Sequence, residues 1–181
     1  MDGQARPTDW TALAVQLRSV GAGDGFERGS DTLARAAIVQ LLGDDAMRDA
    51  VDFYVTHRPG SELARSVLWL LHPWSAMQRC HEIFASDDAD VDERRSAVEL
   101  LRVVADRRVL PWIPLYLADP DPSIRGLGIG VVDQLLFADL IEFEDGAEMI
   151  AHACADEDPH VREAANRILA DREETNSAPA P

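Results

Sequence analysis

Asp156-Glu157-Asp158-Pro159-His160-Val161-Arg162, followed by Ala165, Ile168 and Leu169, has a counterpart upstream in Asp119-Pro120-Asp121-Pro122-Ser123-Ile124-Arg125, followed by Gly128, Val131 and Val132. A turn, a capped helix start, an apolar residue, an arginine and an apolar stripe recur in one order. Repetition at this period means units that cannot bury an apolar face alone and stack to do so. Further copies stand upstream. Arg94 leads Ala97, Leu100 and Leu101, with Asp87-Asp88-Ala89-Asp90 in place of the Asp-Pro turn. Arg65 leads Leu68 and Leu71, and Arg35 leads Ile38, Leu41 and Leu42. The five arginines are spaced by 30, 29, 31 and 37 residues. The first two units also fit when shifted by one residue, because Leu33 and Leu63 match the place of Ile124.

Each unit reads as two helices. Second amphipathic stretches run from Asp45 to Thr56, Trp74 to Phe84, Pro111 to Leu117 and Gly146 to Ala155. Trp112, Ile113, Leu115, Tyr116 and Leu117 make the third strongly apolar. Asp121 and Asp158 are placed to accept from the orphan N–H groups of a first turn, with Pro122 and Pro159 at the first helical position, where no N–H is needed. Ser30 and Ser61 are weaker equivalents. Period-2 alternation is absent, so no strand is expected.

The pattern Asp-Pro-Asp-Pro-x-(Ile/Val)-Arg with small and aliphatic positions behind it resembles HEAT repeats. Its short spacing is similar to the variety first noted in phycobilisome lyase subunits. The resemblance covers Ser30 to Arg172, most closely from Asp87 onward. It implies an all-α fold: an α-solenoid of about five antiparallel helix pairs over residues 30–172. Residues 1–29 would form an extension and capping helix (Thr8 to Val20), and residues 173–181 an unstructured tail. It also implies that Arg125 meets Asp119 or Asp121, and Arg162 meets Asp156 or Asp158. Leu100, Val131 and Leu169 fall on the expected buried stripe. HEAT proteins bind proteins, serve as enzyme subunits or occasionally grip DNA, so the likeness implies a shape and not an activity.

Charge narrows the partners. The net charge is −16, and every one of the 17 basic Lys/Arg positions is arginine. Residues 121–181 hold 14 acidic side chains against 4 arginines. Either the genome and its salt regime set this composition, or an acidic face recruits a basic partner by steering. The lysine deficit spans the whole chain, which favours the first. Both readings argue against nucleic acid, whose phosphates need an excess of positive charge. No apolar run approaches the ~20 residues of a membrane-spanning helix. The start Met1 to Pro7 has no secretory character, and Cys80 and Cys154 read as reduced structural thiols. A prokaryotic cytoplasm is the expected location.

No catalytic constellation emerges. His81-Glu82 is similar to the His-Glu pairs of di-iron HEAT-like hydroxylases. It stands alone, however, since His57, His72, His152 and His160 lack a following glutamate. A di-metal site needs ligands from several helices. Gly126-Leu127-Gly128-Ile129-Gly130 has the wrong spacing for a dinucleotide loop and fits close helix approach instead. Neither metal nor cofactor is expected. Two features suit a binding surface. Trp69 lies off the stripe that Leu63, Val67, Leu70 and Leu71 could form; it either anchors a contact or packs into the next repeat. The long last spacing falls on Phe137 to Glu148, where Phe143 stands among Glu142, Glu144 and Asp145. That insertion is either a binding loop or a short helix burying its aromatics. The expected function is a protein-interaction module, an adaptor or regulator whose protein partner is basic. The alternatives are an immunity-type inhibitor of a basic toxin, and a lyase- or hydroxylase-like enzyme acting on a cofactor or modified residue.

Overall fold

The computed structural model describes residues 9–19 and 30–177. They form ten α-helices and no strand: α1 Trp10–Gln16, α2 Asp31–Leu42, α3 Asp44–Tyr54, α4 Ser61–Leu71, α5 Trp74–Ala85, α6 Val91–Val104, α7 Ile113–Leu117, α8 Pro122–Phe137, α9 Phe143–Cys154 and α10 Pro159–Ser177. A 3-10 segment, Arg107–Trp112, feeds α7. No helix among the described residues is long and apolar enough to cross a membrane. Thr8 and Val20, the limits expected for a capping helix, lie outside the described residues, as do 178–181. The stretch 173–177, expected to be unstructured, continues α10.

Helices contact their near neighbours in sequence. The even-numbered series touches in order, α2 on α4, α4 on α6, α6 on α8 and α8 on α10. Odd-numbered helices pack beside them: α3 against α2, α4 and α5; α5 against α6; α7 against α8 and α9; α9 against α8 and α10. One apolar cluster runs from Met47 to Ile168. Its centre is the stripe after Arg94 and Arg125: Ala97, Leu100, Leu101, Val131 and Val132 are all fully buried. In the last copy Ala165 and Ile168 are buried, whereas Leu169 is only half-buried, because the stripe of α10 turns toward Ile168.

The helix starts follow the capping chemistry in most places. Asp121 accepts from the Ser123 N–H at 2.8 Å, and Asp158 from the His160 N–H at 2.8 Å. Ser30 accepts from Leu33 N–H at 3.2 Å. Asp90 and Glu93 make a reciprocal capping box at α6, a start that the missing prolines concealed. Ser61 is not a cap. Gly60, at φ +105°, takes that position, and the Ser61 hydroxyl donates to the Arg58 carbonyl at 2.8 Å.

The copy at Arg65 keeps its expected stripe, and the copy at Arg35 does not. On α4, Leu68 and Leu71 are buried, while Leu63 and Leu70 are exposed. On α2, Ile38, Leu41 and Leu42 are exposed, and the helix buries nothing fully. The reason is positional: α2 meets α3 and α4, but no helix of the described residues stands on its other side in the way that α4 stands beside α6.

Glycine spacing in α8 serves helix approach. A Cβ at Gly128 would lie 2.9 Å from the Tyr116 Cβ, closer than such atoms come. Gly128→Ala must separate α7 from α8 and is expected to cost ~1–3 kcal/mol. Leu100→Ala, in the fully buried centre, is expected to cost ~2–5 kcal/mol. Chemical denaturation of both variants checks this; a wild-type midpoint for Leu100→Ala would mean that the stripe is not core.

Candidate functional site

The acidic turns and the arginines that follow them form a ladder. Arg125 places Nε at 2.8 Å and Nη2 at 2.9 Å from the two carboxylate oxygens of Asp156, a bidentate pair. Its Nη1 donates backward to the carbonyls of Asp119 at 3.1 Å and Pro120 at 3.2 Å. Arg94 makes the equivalent forward contact with the carboxylate of Asp119 and a backward one to the Phe84 carbonyl at 3.1 Å. Arg162 repeats the backward half, donating to the carbonyls of Asp156 at 2.7 Å and Glu157 at 2.8 Å. The expectation that each arginine pairs with a carboxylate of its own turn is thereby corrected for Arg125: the carboxylate comes from the next turn, because its own turn presents carbonyls. Asp119 and Asp156 also accept the N–H two residues on, from Asp121 at 2.9 Å and Asp158 at 2.8 Å, which orients each for its arginine. Arg65 stands outside the ladder; its side chain pairs with Glu62 one turn away.

His81 and Glu82 point to different partners. The His81 ring stacks on Trp112 with centroids 4.4 Å apart, and its Nδ1 shares a 3.1 Å hydrogen bond with the Tyr116 hydroxyl. Burial holds its pKa below the ordinary histidine value. Trp74 also stacks on Trp112, at 5.2 Å, and Phe84 meets Tyr116 edge-on at 4.6 Å. Glu82 instead pairs with Arg48 and with Arg79, and the hydrogen bond from Arg48 holds its carboxyl below the usual range. Among the described residues no three His, Cys, Asp or Glu side chains converge as a metal would need. Cys80 is buried, which pushes its thiol pKa up, and Cys154 is half-buried. No sequence period signals the aromatic stack, since its members come from α5, the 3-10 segment and α7.

The insertion expected around Phe137 to Glu148 is a tight corner. α8 ends with Asp139 at φ +52°, the Leu140 N–H bonding the Leu135 carbonyl at 2.9 Å and the Asp139 N–H the Leu136 carbonyl at 3.1 Å. Ile141 is buried, and α9 starts at Phe143 rather than at Gly146. Glu142 and Asp145 are the two halves of the α9 capping box, so both side chains serve the local backbone. Glu144 pairs with Arg172 at 3.2 Å.

Phe143 is half-buried, with the Arg172 guanidinium 3.4 Å from its ring centroid. It lines a cleft of about 310 Å³ between the end of α8, the start of α9 and α10. Phe143, Leu136, Phe137 and Ile168 give the cleft its apolar surface, and Phe137 is 84% exposed. Asp133, Asp139 and Asp171 stand on its rim with Arg172. Partial desolvation, and then the nearby Asp171 carboxylate, push the Asp133 carboxyl above its ordinary value, against Arg167 and Arg102. Trp69, also exposed, lines a separate cleft with Arg65 and Arg102. The five residues singled out in the sequence thus do not form one site: Phe143 is at one cleft, Trp69 at another, and Glu142, Glu144 and Asp145 are held by local contacts.

Both side chains of the Arg125–Asp156 pair are less than a tenth exposed. Arg125→Gln leaves a buried carboxylate unpaired and is expected to cost ~3–5 kcal/mol. The hydrogen bond from Arg125 holds the Asp156 pKa below its ordinary value. A depressed carboxylate stabilises the fold above its unfolded-state value of ~3.9, and that stability goes as the pH falls through the folded-state value. Melting temperature is therefore expected to fall below about pH 4 in the wild type, and less steeply in Arg125→Gln. Melts across pH 2–7 on both chains measure it. No protein-family model, curated protein or solved structure matches the chain.

Proposed function

We propose that the chain is a HEAT-like α-solenoid of about five helix pairs that binds a basic protein partner as an adaptor or regulator. Support for the architecture is the ordered contact of the even-numbered helices and the matching contacts of Arg125 and Arg162, each donating Nη1 to the two carbonyls of the turn before its helix. Support for the docking function comes from one observation. The cleft of Phe137 and Phe143 has an apolar floor and three aspartates at its rim, in a chain of net charge −16. Partial desolvation first, and repulsion from the Asp171 carboxylate second, raise the pKa of Asp133.

A cationic side chain entering this cleft relieves that repulsion and finds an aromatic face. Arg172 already shows the geometry, its guanidinium seated over Phe143. The acidic field speeds encounter, and the aromatic rings hold the docked partner. The long spacing between Arg125 and Arg162 is what brings Phe137 and Phe143 to the cleft, because it inserts the corner at Asp139.

The test uses variants that spare the fold. Phe137 is exposed, and Asp139 has a left-handed backbone that asparagine tolerates. Wild type and an Asp133→Asn/Asp139→Asn variant are used in parallel to purify partners from the native host. A basic protein held in stoichiometric amount by wild type is expected. The double variant slows its association roughly tenfold at low salt, with a weaker salt dependence. Phe137→Ala hastens dissociation. Equal kinetics for all three chains across a salt series would rule this cleft out as the docking site.

A further inference from the structure

The second cleft has the opposite chemistry. Arg65, Ser66 and Trp69 of α4, Arg102 and Val103 of α6, and Gln134 of α8 enclose about 420 Å³, within the ~300–1,000 Å³ range of small-ligand sites. Two arginines converge here in a strongly acidic protein. Arg65 spends one N–H on the exposed Glu62 at 2.8 Å, a contact worth little at the surface. No carboxylate among the described residues makes an ion pair with Arg102; Asp133 feels only its field. The place of Arg102 is built into α8. A Cβ at Gly130 would stand 3.0 Å from its Cδ and 3.6 Å from its Nη1, so glycine leaves the room in which this side chain lies. Beside the two guanidinium groups Trp69 is 59% exposed, an indole plane with no ring stacked on it among the described residues.

We propose that this cleft binds a small aromatic oxyanion, its ring on Trp69 and its phosphate or carboxylate held between Arg65 and Arg102. Guanidinium forks suit such oxygens, and the Gln134 amide supplies a further donor within the same walls, whereas the Ser66 hydroxyl already donates to the Glu62 carbonyl at 2.8 Å. The net charge of −16 decides the size of the ligand. A nucleic acid or an acidic protein would bring many charges against that field. A compact mono- or dianion meets it over little more than one Debye length, ~8–10 Å, where the two arginines dominate.

The experiment is a two-dimensional NMR titration of 15N-labelled protein with phenyl phosphate, inorganic phosphate and phenol. The Trp69 indole signal is assigned from its loss in Trp69→Phe. Phenyl phosphate is expected to shift that signal saturably, with Kd on the order of 0.1–1 mM. Inorganic phosphate binds about tenfold more weakly for want of the ring, and phenol does not saturate. Arg102→Gln weakens phenyl phosphate about tenfold. Gly130→Ala, which displaces Arg102 without removing it, weakens it by a smaller factor. The proposal fails if phenyl phosphate and phenol shift the signal alike, if Arg102→Gln binds like wild type, or if the shifts centre on Trp74 and Trp112. None of these outcomes depends on the protein partner, whose docking is measured by the Asp133 and Asp139 variants.

Discussion

Arg125 ties three segments together with one guanidinium group. Two of its nitrogens grip Asp156 in the turn ahead, and the third holds the carbonyls of the turn behind. A helix packed only by aliphatic contacts is free to slide or rotate by small amounts, because those contacts are non-directional. A bidentate arginine is directional, so it fixes how far α8 stands from the start of α10 and at what rotation. Arg94 links α6 to the turn before α8 through one nitrogen on Asp119, and to the end of α5 through another on the Phe84 carbonyl. Both clefts lie between helices whose mutual placement is set this way, α6 and α8 at one and α8 and α10 at the other.

α8 is therefore the element on which the rest is measured. Its buried side carries Ile124, Ile129, Val131, Val132 and Leu135. Its glycines give it two unlike neighbours at short range, Tyr116 at Gly128 and the Arg102 side chain at Gly130. Its exposed side carries Asp133 and Gln134, consecutive in sequence, which face different clefts. Asp133 feels both clefts: partial desolvation and then Asp171 raise its pKa, while Arg167 and, more weakly, Arg102 lower it.

The sequence was most legible where one residue type carries a unique geometric duty. Asp121 and Asp158 cap, Pro122 and Pro159 open helices, and Arg125 and Arg162 each donate to the two carbonyls of the turn before them. It was least legible where apolar residues are plentiful. Leu63 and Leu70 read as core as readily as Leu68 and Leu71, and only the neighbouring helix decides between them. Carboxylate partners across turns were assigned to the wrong turn, because spacing along the chain does not reveal that a turn offers its carbonyls inward. The stack of Trp74, Trp112 and His81 was invisible for a related reason: its members share no helix and no period. The candidate clefts were half visible, Trp69 and Phe143 by their positions, Arg102 and Phe137 only once the even-numbered helices stood side by side.

Net charge is a poor guide to where such a surface binds. The acidity of this chain is spread over caps, ladder partners and exposed pairs. Asp121, Asp156, Glu82 and Asp106 are held below the ordinary carboxylate range by the arginines and N–H groups they serve. Carboxylates already bonded in this way have less to offer a partner, because a new cation must displace an existing one. Asp133 differs in kind. Its pKa is raised, by partial desolvation and then by the nearby Asp171 carboxylate, so a cation brought to this rim favours its charged form. The same reasoning run with opposite sign singles out Arg102 among the arginines. Most of the others among the described residues are spent on neighbouring carboxylates or carbonyls, whereas Arg102 lines a cleft with the exposed Trp69 indole. Function on a heavily charged scaffold is better sought in the groups whose charge the fold leaves uncompensated than in the regions where charge is most abundant.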